Sequence, residues 1–178
     1  NQLLGHEFLL RLWQAASDPH VVGAYPSHYA WFQTDPPLTR YFALLGANDP
    51  LAWWLGKADR RSWLGAPRTE RVVFGGSIPT LGSNGFFAKR QALQAFVTDT
   101  GHVDTCERMR QAGFATYTIV DMVIWHKTGS SFPRWLRKRF TYARDLYWRQ
   151  RAHRKWHLVR GARDWWKVIT FSMASLLV

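Results

Sequence analysis

The hydrophobic pattern of the chain alternates between segments with helical spacing and short strand-like runs. Apolar residues that recur every three or four positions predict helices over residues 7–16, 36–45, 50–55, 89–97 and 102–112. Runs rich in β-branched and aromatic residues predict strands over residues 21–25, 72–74, 114–120 and 122–125. We therefore expect an α/β fold, in which polar residues at the ends of elements are candidates for a functional site.

The C-terminal part follows a different pattern. Leu136, Phe140, Ala143 and Tyr147 form one apolar stripe at helical spacing, and the other faces of that helix are mostly Arg and Lys. This pattern predicts an amphipathic basic helix. The final apolar run, 168–178, is shorter than the about 20 apolar residues that cross a bilayer. It is an interfacial anchor, the beginning of a spanning helix, or a helix packed on the body. The sequence is expected to be cut at both ends.

The composition indicates one folded domain. The chain has 178 residues, of which 47% are hydrophobic, and this is enough to bury a core. Its one cysteine, Cys106, excludes an intramolecular disulfide and favours a reducing, cytosolic compartment.

Positive charge is concentrated in one segment. Residues 1–132 carry twelve Lys and Arg against ten Asp and Glu, whereas residues 133–178 carry twelve against two and interleave them with five Trp. Nucleic acid would favour such a segment through counterion release and base stacking. An anionic bilayer would favour it through surface potential and Trp at the headgroups, and a solvated basic face is the third reading. Lys and Arg before an apolar run, with Trp165 and Trp166 at the junction, favour the membrane surface. Nucleic acid is disfavoured because no groove-reading motif is present.

Two polar landmarks, Asp104 and His126, fall at the ends of predicted elements, and a glycine-rich loop spans residues 75–85. The glycines fit ordinary turns or a backbone that a ligand can approach closely, and they match no phosphate-loop or dinucleotide motif. Asp104 near a helix start fits a carboxylate favoured by the helix dipole. His126 at a strand end fits a packed or capping histidine. Taken alone, these residues leave structural and functional roles open.

The order of these motifs resembles that of family 2 glycosyltransferases. In that family a Gly-Asn-Gly-type loop precedes an acidic motif at the head of a helix that closes with Ala-Gly-Tyr/Phe, and Asp104 occupies the second acidic position. The resemblance covers most of the chain and is most specific over residues 72–145. The segments that carry it are Gly82-Ser83-Asn84-Gly85-Phe86-Phe87-Ala88-Lys89-Arg90, His102-Val103-Asp104, Gln111-Ala112-Gly113-Phe114 and Trp125-His126, followed by the helix rich in Arg and Lys.

The resemblance implies the acceptor side of a GT-A catalytic domain, which transfers a sugar from a nucleotide sugar with inversion. It implies that Asp104 is the general base for the acceptor hydroxyl and that His126 contacts the metal or the diphosphate. Arg137 and Arg139 are expected to neutralise substrate phosphate, since guanidinium matches phosphate geometry. The other substrate-binding residues that it implies are Gly82, Asn84, Gly85 and His102.

Some features of the family are absent from the sequence. The chain has no Asp-x-Asp motif, through which the family binds Mg²⁺ or Mn²⁺, and no nucleotide-binding half before it. We therefore expect a fragment that is inactive alone, from an intact enzyme that uses Mg²⁺ or Mn²⁺. The Gln-x-x-Arg-Trp signature of processive synthases is also absent, which favours transfer of one sugar to a lipid-linked or glycan acceptor. His102 stands where the family usually has an acidic or small residue.

Two regions follow from these expectations. Residues 1–132 are the acceptor-side part of the GT-A domain, and residues 133–178 are basic amphipathic helices at a membrane surface with the start of an apolar anchor. The expected location is the cytoplasmic face of a membrane, with the protein peripheral or anchored by its C-terminal segment. The alternative function is a non-enzymatic basic module that binds the membrane surface.

Overall fold

The fold of the chain is mixed α/β. The computed structural model describes residues 2–3, 7–47, 49–59, 68–81, 85–127 and 131–175. The strands are β1 (Gln2–Leu3), β2 (Gly23–Ala30), β3 (Glu70–Val73), β4 (Phe87–Ala88) and β5 (Thr116–Trp125). The helices are α1 (Phe8–Ala16), α2 (Pro37–Leu45), α3 (Pro50–Trp54), α4 (Arg90–Phe96), α5 (His102–Gln111), α6 (Phe132–Tyr142), a π-helical segment (Ala143–Trp148) and α7 (Gly161–Ser175).

The strands form one mixed sheet with β2 and β5 at its centre. These two strands run parallel, from Gly23 opposite Tyr117 to Ala30 opposite Trp125. β4 pairs antiparallel with the other edge of β2. β3 and β1 both pair antiparallel with β5, along successive parts of that strand. The parallel pair therefore ends at one common edge of the sheet, at Ala30 and Trp125.

β5 is a single strand, whereas the sequence predicted two strands separated at Asp121. The Asp121 side chain is exposed, and its backbone N–H donates to Thr69 Oγ1 at 3.1 Å. Asp121 lies between the part of β5 that pairs with β3 and the part that pairs with β1. A carboxylate is tolerated there because it points to solvent at an interrupted sheet edge.

β2 continues past Pro26, where the sequence predicted its end. Proline has no N–H for the ladder and is accommodated at bulges. The register with β5 shifts between Pro26 and His28, so the missing donor falls at an irregularity. The strand then continues to Ala30 and reaches the edge of the sheet where Trp125 ends β5.

The core lies on both faces of the sheet, because neighbouring strand residues point to opposite sides. On one face Ala24 and Val120 pack against α1 through Phe8 and Leu12. On the other face the neighbouring residues Tyr25 and Ile119 belong to a second cluster. That cluster also contains Val103, Cys106 and Met109 of α5 and Trp156.

Trp156 brings the basic C-terminal segment into the core. Its side chain is completely buried, and its indole N–H donates to the Ile78 carbonyl at 2.8 Å. Farther along, Lys57 Nζ lies 2.6 Å from Asp164 Oδ2 at the start of α7. The basic segment that begins at residue 133 therefore shares the core of the preceding residues and does not form a separate core.

The apolar stripe predicted for the basic helix is divided by the structure. Leu136 and Phe140 of α6 are 52% and 66% exposed. At Ala143 the backbone changes to the wider π-helical turn, and Tyr147 points inward, with its ring centroid 5.9 Å from that of Trp156. The stripe therefore does not continue through the π-helical segment. Within the described residues, no helix combines the length and the apolar character that crossing a membrane requires.

Candidate functional site

A cavity of about 400 Å³ lies beside the ends of β2 and β5. Carboxyl ends of parallel strands are common ligand sites in α/β proteins, and this volume lies in the usual range for small-molecule sites. The start of α5 and one face of α6 complete its wall. The lining residues are Tyr29, Asp49, Asp59, Thr80, Thr100, Gly101, His102, Val103, His126, Lys127, Trp135, Lys138, Arg139, Tyr142, Tyr147 and Arg154.

The cavity is predominantly basic and aromatic. Four Lys and Arg side chains line it against two Asp, together with three Tyr and one Trp. One of the two acids, Asp49, accepts from the Leu51 and Ala52 amides at 3.0 and 3.1 Å, which caps α3. Its other oxygen lies 3.7 Å from Arg139 Nη1. The charge balance therefore favours an anionic ligand.

Arg154 is the cation most deeply embedded in the cavity wall. It is 6% exposed and donates to the Thr100 carbonyl at 2.7 Å. Its guanidinium lies over the Tyr147 ring, 4.6 Å from the ring centroid. Burial lowers the pKa of Arg154 from its usual value, although nearby Tyr147 and Asp104 oppose this shift. Arginine remains charged in proteins, so the wall keeps a fixed positive charge.

His102 is the first residue of α5 and lines the cavity directly. The helix begins there because Gly101, with φ of 99°, adopts a conformation that favours glycine. The His102 side chain is open to the cavity, but the surrounding protein reduces its hydration. This loss of hydration lowers the pKa of His102 below its usual 6.5, and the charge of Arg154 lowers it further. The imidazole is therefore neutral at pH 7 and able to accept a proton.

Asp104, the expected general base, is completely buried and does not line the cavity. Its Oδ2 accepts from Thr100 Oγ1 at 2.6 Å and Arg108 Nε at 2.9 Å. Its Oδ1 accepts from the backbone N–H groups of Lys155 and Trp156 at 2.6 and 2.8 Å. Both oxygens are thus fully engaged, and a base must reach the hydroxyl that it deprotonates. Asp104 therefore has a structural role, because its hydrogen bonds join α5 to the C-terminal segment.

The protonation state of Asp104 is consistent with this structural role. Burial would raise the pKa of this carboxyl, but the four hydrogen bonds favour its charged form. The net effect is a pKa below the usual value. Asp104 is therefore a carboxylate at pH 7 whose charge is balanced by donors on both sides.

Some of the other predicted site residues line the cavity, and others do not. His126 and Arg139 line the cavity with His102, whereas Arg137 is exposed on α6 and does not line it. Gly85 does not line the cavity, and its φ of 82° is a backbone conformation that favours glycine. Gly82 and Asn84 lie outside the described residues.

Sequence reasoning did not identify Thr100 and Arg154 as site residues. Arg154 stands among many similar basic residues, and only its packing between Tyr147 and the Thr100 carbonyl distinguishes it. Thr100 lies in a short connection with no motif, where its hydroxyl contacts Asp104. No local signal in the sequence could have found either residue.

His126 has an aromatic neighbour rather than a set of metal ligands. Its ring centroid lies 6.2 Å from that of Tyr29. Mg²⁺ and Mn²⁺ prefer oxygen ligands, mainly carboxylates. In the part of the chain that the structure describes, no group of three or more His, Cys, Asp or Glu side chains could hold a metal ion. The described residues of this cavity therefore do not form a ligand set for the expected Mg²⁺ or Mn²⁺.

No protein-family model matches this chain, and neither a curated protein nor a solved structure matches it. The site is therefore characterised by its own geometry: a basic, aromatic cavity that brings together His102, His126 and Arg139.

Proposed function

We propose that the protein is the acceptor-side part of an inverting glycosyltransferase, which moves a sugar from a nucleotide sugar to a lipid-linked or glycan acceptor. The observation that supports this proposal is the convergence of His102, His126 and Arg139 on one basic cavity. These residues are far apart in the sequence, and each belongs to a motif of the resemblance described above. Phosphate on either substrate would be complementary to the charge of this cavity.

In this proposal His102, rather than Asp104, takes the proton of the acceptor hydroxyl. The acceptor oxygen forms a bond to the anomeric carbon as its O–H bond breaks and the proton moves to the imidazole. The bond from the anomeric carbon to the diphosphate breaks with its electron pair, and the nucleoside diphosphate leaves. Arg139 and Lys138 line the same cavity and stabilise negative charge on phosphate. His102 suits the base role because it is neutral and opens to the cavity.

Substitution of His102 tests this assignment. We expect His102→Gln to lower sugar transfer at least about a hundredfold, because general-base catalysis commonly contributes that much. Transfer is measured on the full natural protein with labelled UDP- and GDP-sugars, membrane lipids and glycans as acceptors, and Mg²⁺ or Mn²⁺ present. Asp99→Asn, at an exposed position near α5, is the matched control and is expected to retain activity.

Asp104→Asn separates the two candidate bases in the same assay. It is expected to retain transfer per folded molecule at a temperature where it remains folded. Loss of transfer in folded Asp104→Asn with retention in His102→Gln would return the base role to Asp104. Absence of transfer from every sugar would contradict the enzymatic proposal.

The pH dependence of kcat/KM gives a second test of His102. A base acts in its neutral form, so kcat/KM is expected to fall as the pH falls through the pKa of His102. Because the cavity lowers that pKa, this acidic limb is expected below pH 6.5, the usual value. The His102→Gln variant should lose the limb, and an unchanged limb in this variant would assign it to another group.

The second candidate function is a non-enzymatic module that binds an anionic membrane surface. It is favoured by α6, which exposes Phe132, Leu136 and Phe140 on a helix that also carries Arg134 and Arg137. Such a combination is typical of helices that lie in the headgroup region. Membrane attachment on the cytoplasmic face is also part of the glycosyltransferase proposal, so transfer activity is the observation that distinguishes the two.

A further inference from the structure

A second cavity, of about 210 Å³, adjoins the basic cavity. Five residues line both cavities: Asp49, Trp135, Arg139, Tyr142 and Tyr147. The remaining wall of the smaller cavity comes from apolar side chains of α3, the π-helical segment and α7, together with Leu158. These are Pro50, Leu51, Ala143, Leu158 and Phe171.

The two cavities differ in chemistry on either side of this shared wall. The surface of the smaller cavity is almost entirely apolar, whereas the larger cavity carries an excess of positive charge. Arg139 stands at the junction, with its guanidinium 5.7 Å from the Trp135 ring centroid and 3.7 Å from Asp49. A planar guanidinium held beside an aromatic ring is suited to a phosphate group. Asp49 is the acidic neighbour at this point, and its charge is opposed by Arg139 and the amides of α3.

Trp135 forms part of the wall that the two cavities share. Its indole nitrogen is buried and has no hydrogen-bond partner among the described residues. An indole N–H can only donate, and a buried donor without an acceptor is unfavourable. Because protein atoms cover this nitrogen, a ligand at the junction would contact the Trp135 ring, which lines both cavities, rather than its N–H.

We propose that the two cavities together bind one phosphate-bearing amphiphile, with its phosphate in the basic cavity beside Arg139 and its hydrocarbon chain in the apolar cavity. The inference deepens the proposed function, since this amphiphile would be the lipid-linked acceptor. The acceptor hydroxyl of the glycan that this phosphate carries would then lie in the same cavity as His102. The chain of the lipid is held by α3, α7 and the π-helical segment.

The outer surface of α6 indicates where this amphiphile comes from. The same helix that lines both cavities with Trp135, Arg139 and Tyr142 exposes Phe132 and Phe140 by 58% and 66%. A membrane surface against these exposed rings would lie next to the cavity that takes the chain. The source is therefore a lipid phosphate of the bilayer rather than free phosphate in solution.

Binding of farnesyl phosphate tests the inference without any transfer reaction. Calorimetry on the full chain, below the critical micelle concentration, compares farnesyl phosphate with farnesol and with inorganic phosphate. We expect farnesyl phosphate to bind at least tenfold more tightly than either compound. Equal affinity for farnesol and farnesyl phosphate would overturn the inference, and so would equal affinity for inorganic phosphate.

A variant that fills the apolar cavity locates the chain. Ala143→Trp is expected to weaken farnesyl phosphate at least tenfold and to leave inorganic phosphate unchanged, because only the apolar cavity loses space. Leu51→Trp fills the same cavity from α3 and serves if Ala143→Trp does not fold, as judged by thermal unfolding. The matched control is Ala95→Trp, at an exposed position of α4 that lines neither cavity.

These experiments distinguish a failure of the binding inference from a failure of the enzymatic proposal. Unchanged farnesyl phosphate affinity in a folded cavity-filling variant overturns the two-cavity inference, whether or not transfer occurs. Tight and variant-sensitive binding without transfer supports the inference and contradicts only the enzymatic proposal.

Discussion

His102 and Asp104 are only two positions apart on one helix, yet their side chains lie in opposite environments. Residues separated by two positions do not share a helix face. His102 faces the cavity, whereas Asp104 faces the interior and accepts four hydrogen bonds. The family resemblance implied a base at Asp104, but the residue of this helix start that lines the cavity is His102.

Asp104→Asn is expected to lower the free energy of unfolding by about 1–3 kcal/mol, the usual cost when a buried hydrogen-bonded group loses its match. The amide nitrogen of Asn would face the Arg108 guanidinium, which is also a donor. Urea unfolding at pH 7 measures the loss. Asp99→Asn is the exposed control, and an equal effect of the two substitutions would contradict a structural role for Asp104.

The effect of Asp104 on stability is expected to depend on pH. Its pKa is lowered by folding, so its contribution is fully present above the unfolded value of about 3.9 and is lost as the pH falls through the folded pKa. The difference in unfolding free energy between wild type and Asp104→Asn should therefore shrink below about pH 4. A difference that stays constant from pH 7 to pH 3 would contradict the assignment.

At the scale of elements, the structure separates locally determined helices from strands that depend on distant partners. α1, α2 and α5 begin and end close to the predicted positions, because apolar spacing and residues such as Gly46 and Gly113 act within a few positions. The continuity of β5 through Asp121 and of β2 through Pro26 could not be predicted, because it depends on pairing between strands about ninety residues apart. Cavity residues such as His126 stood at recognisable element ends, whereas two of the four hydrogen-bond donors to Asp104 come from a distant segment.

The exposed apolar residues of α6 lead to a prediction for membrane binding. Replacing Leu136 and Phe140 by Ser is expected to weaken binding to phosphatidylglycerol vesicles by roughly tenfold or more, because less apolar area is buried at the interface. Vesicle co-sedimentation measures the affinity. Added salt should weaken the wild-type interaction as well, since the basic residues of α6 are screened.

The matched control replaces two exposed leucines on another helix. Leu9 and Leu10 of α1 are 64% and 48% exposed, and their replacement by Ser is expected to leave vesicle binding unchanged. Equal losses in the two double variants would show that α6 is not the contacting element.

At the scale of the whole molecule, Trp156 joins the C-terminal segment to the sheet. Trp156→Ala is expected to lower the free energy of unfolding by about 3–5 kcal/mol, as for other large aromatic side chains removed from cores. Trp156→Phe retains most of the ring but leaves the Ile78 carbonyl without its donor, and should cost about 1–3 kcal/mol. Chemical denaturation measures both, and a change under 1 kcal/mol for Trp156→Ala, within the range of ordinary surface substitutions, would contradict this role.

The position of Trp156 along the chain also bears on the order of events during synthesis. The sheet and α5 are complete by Trp125, yet the Asp104 carboxylate receives two of its donors from Lys155 and Trp156. While the ribosome is still translating that interval, the nascent chain holds a charged group and an unfilled space at the centre of its core. The core around Asp104 can therefore be completed only after Trp156 has left the exit tunnel, and a chain released earlier would leave the Asp104 carboxylate without these two donors.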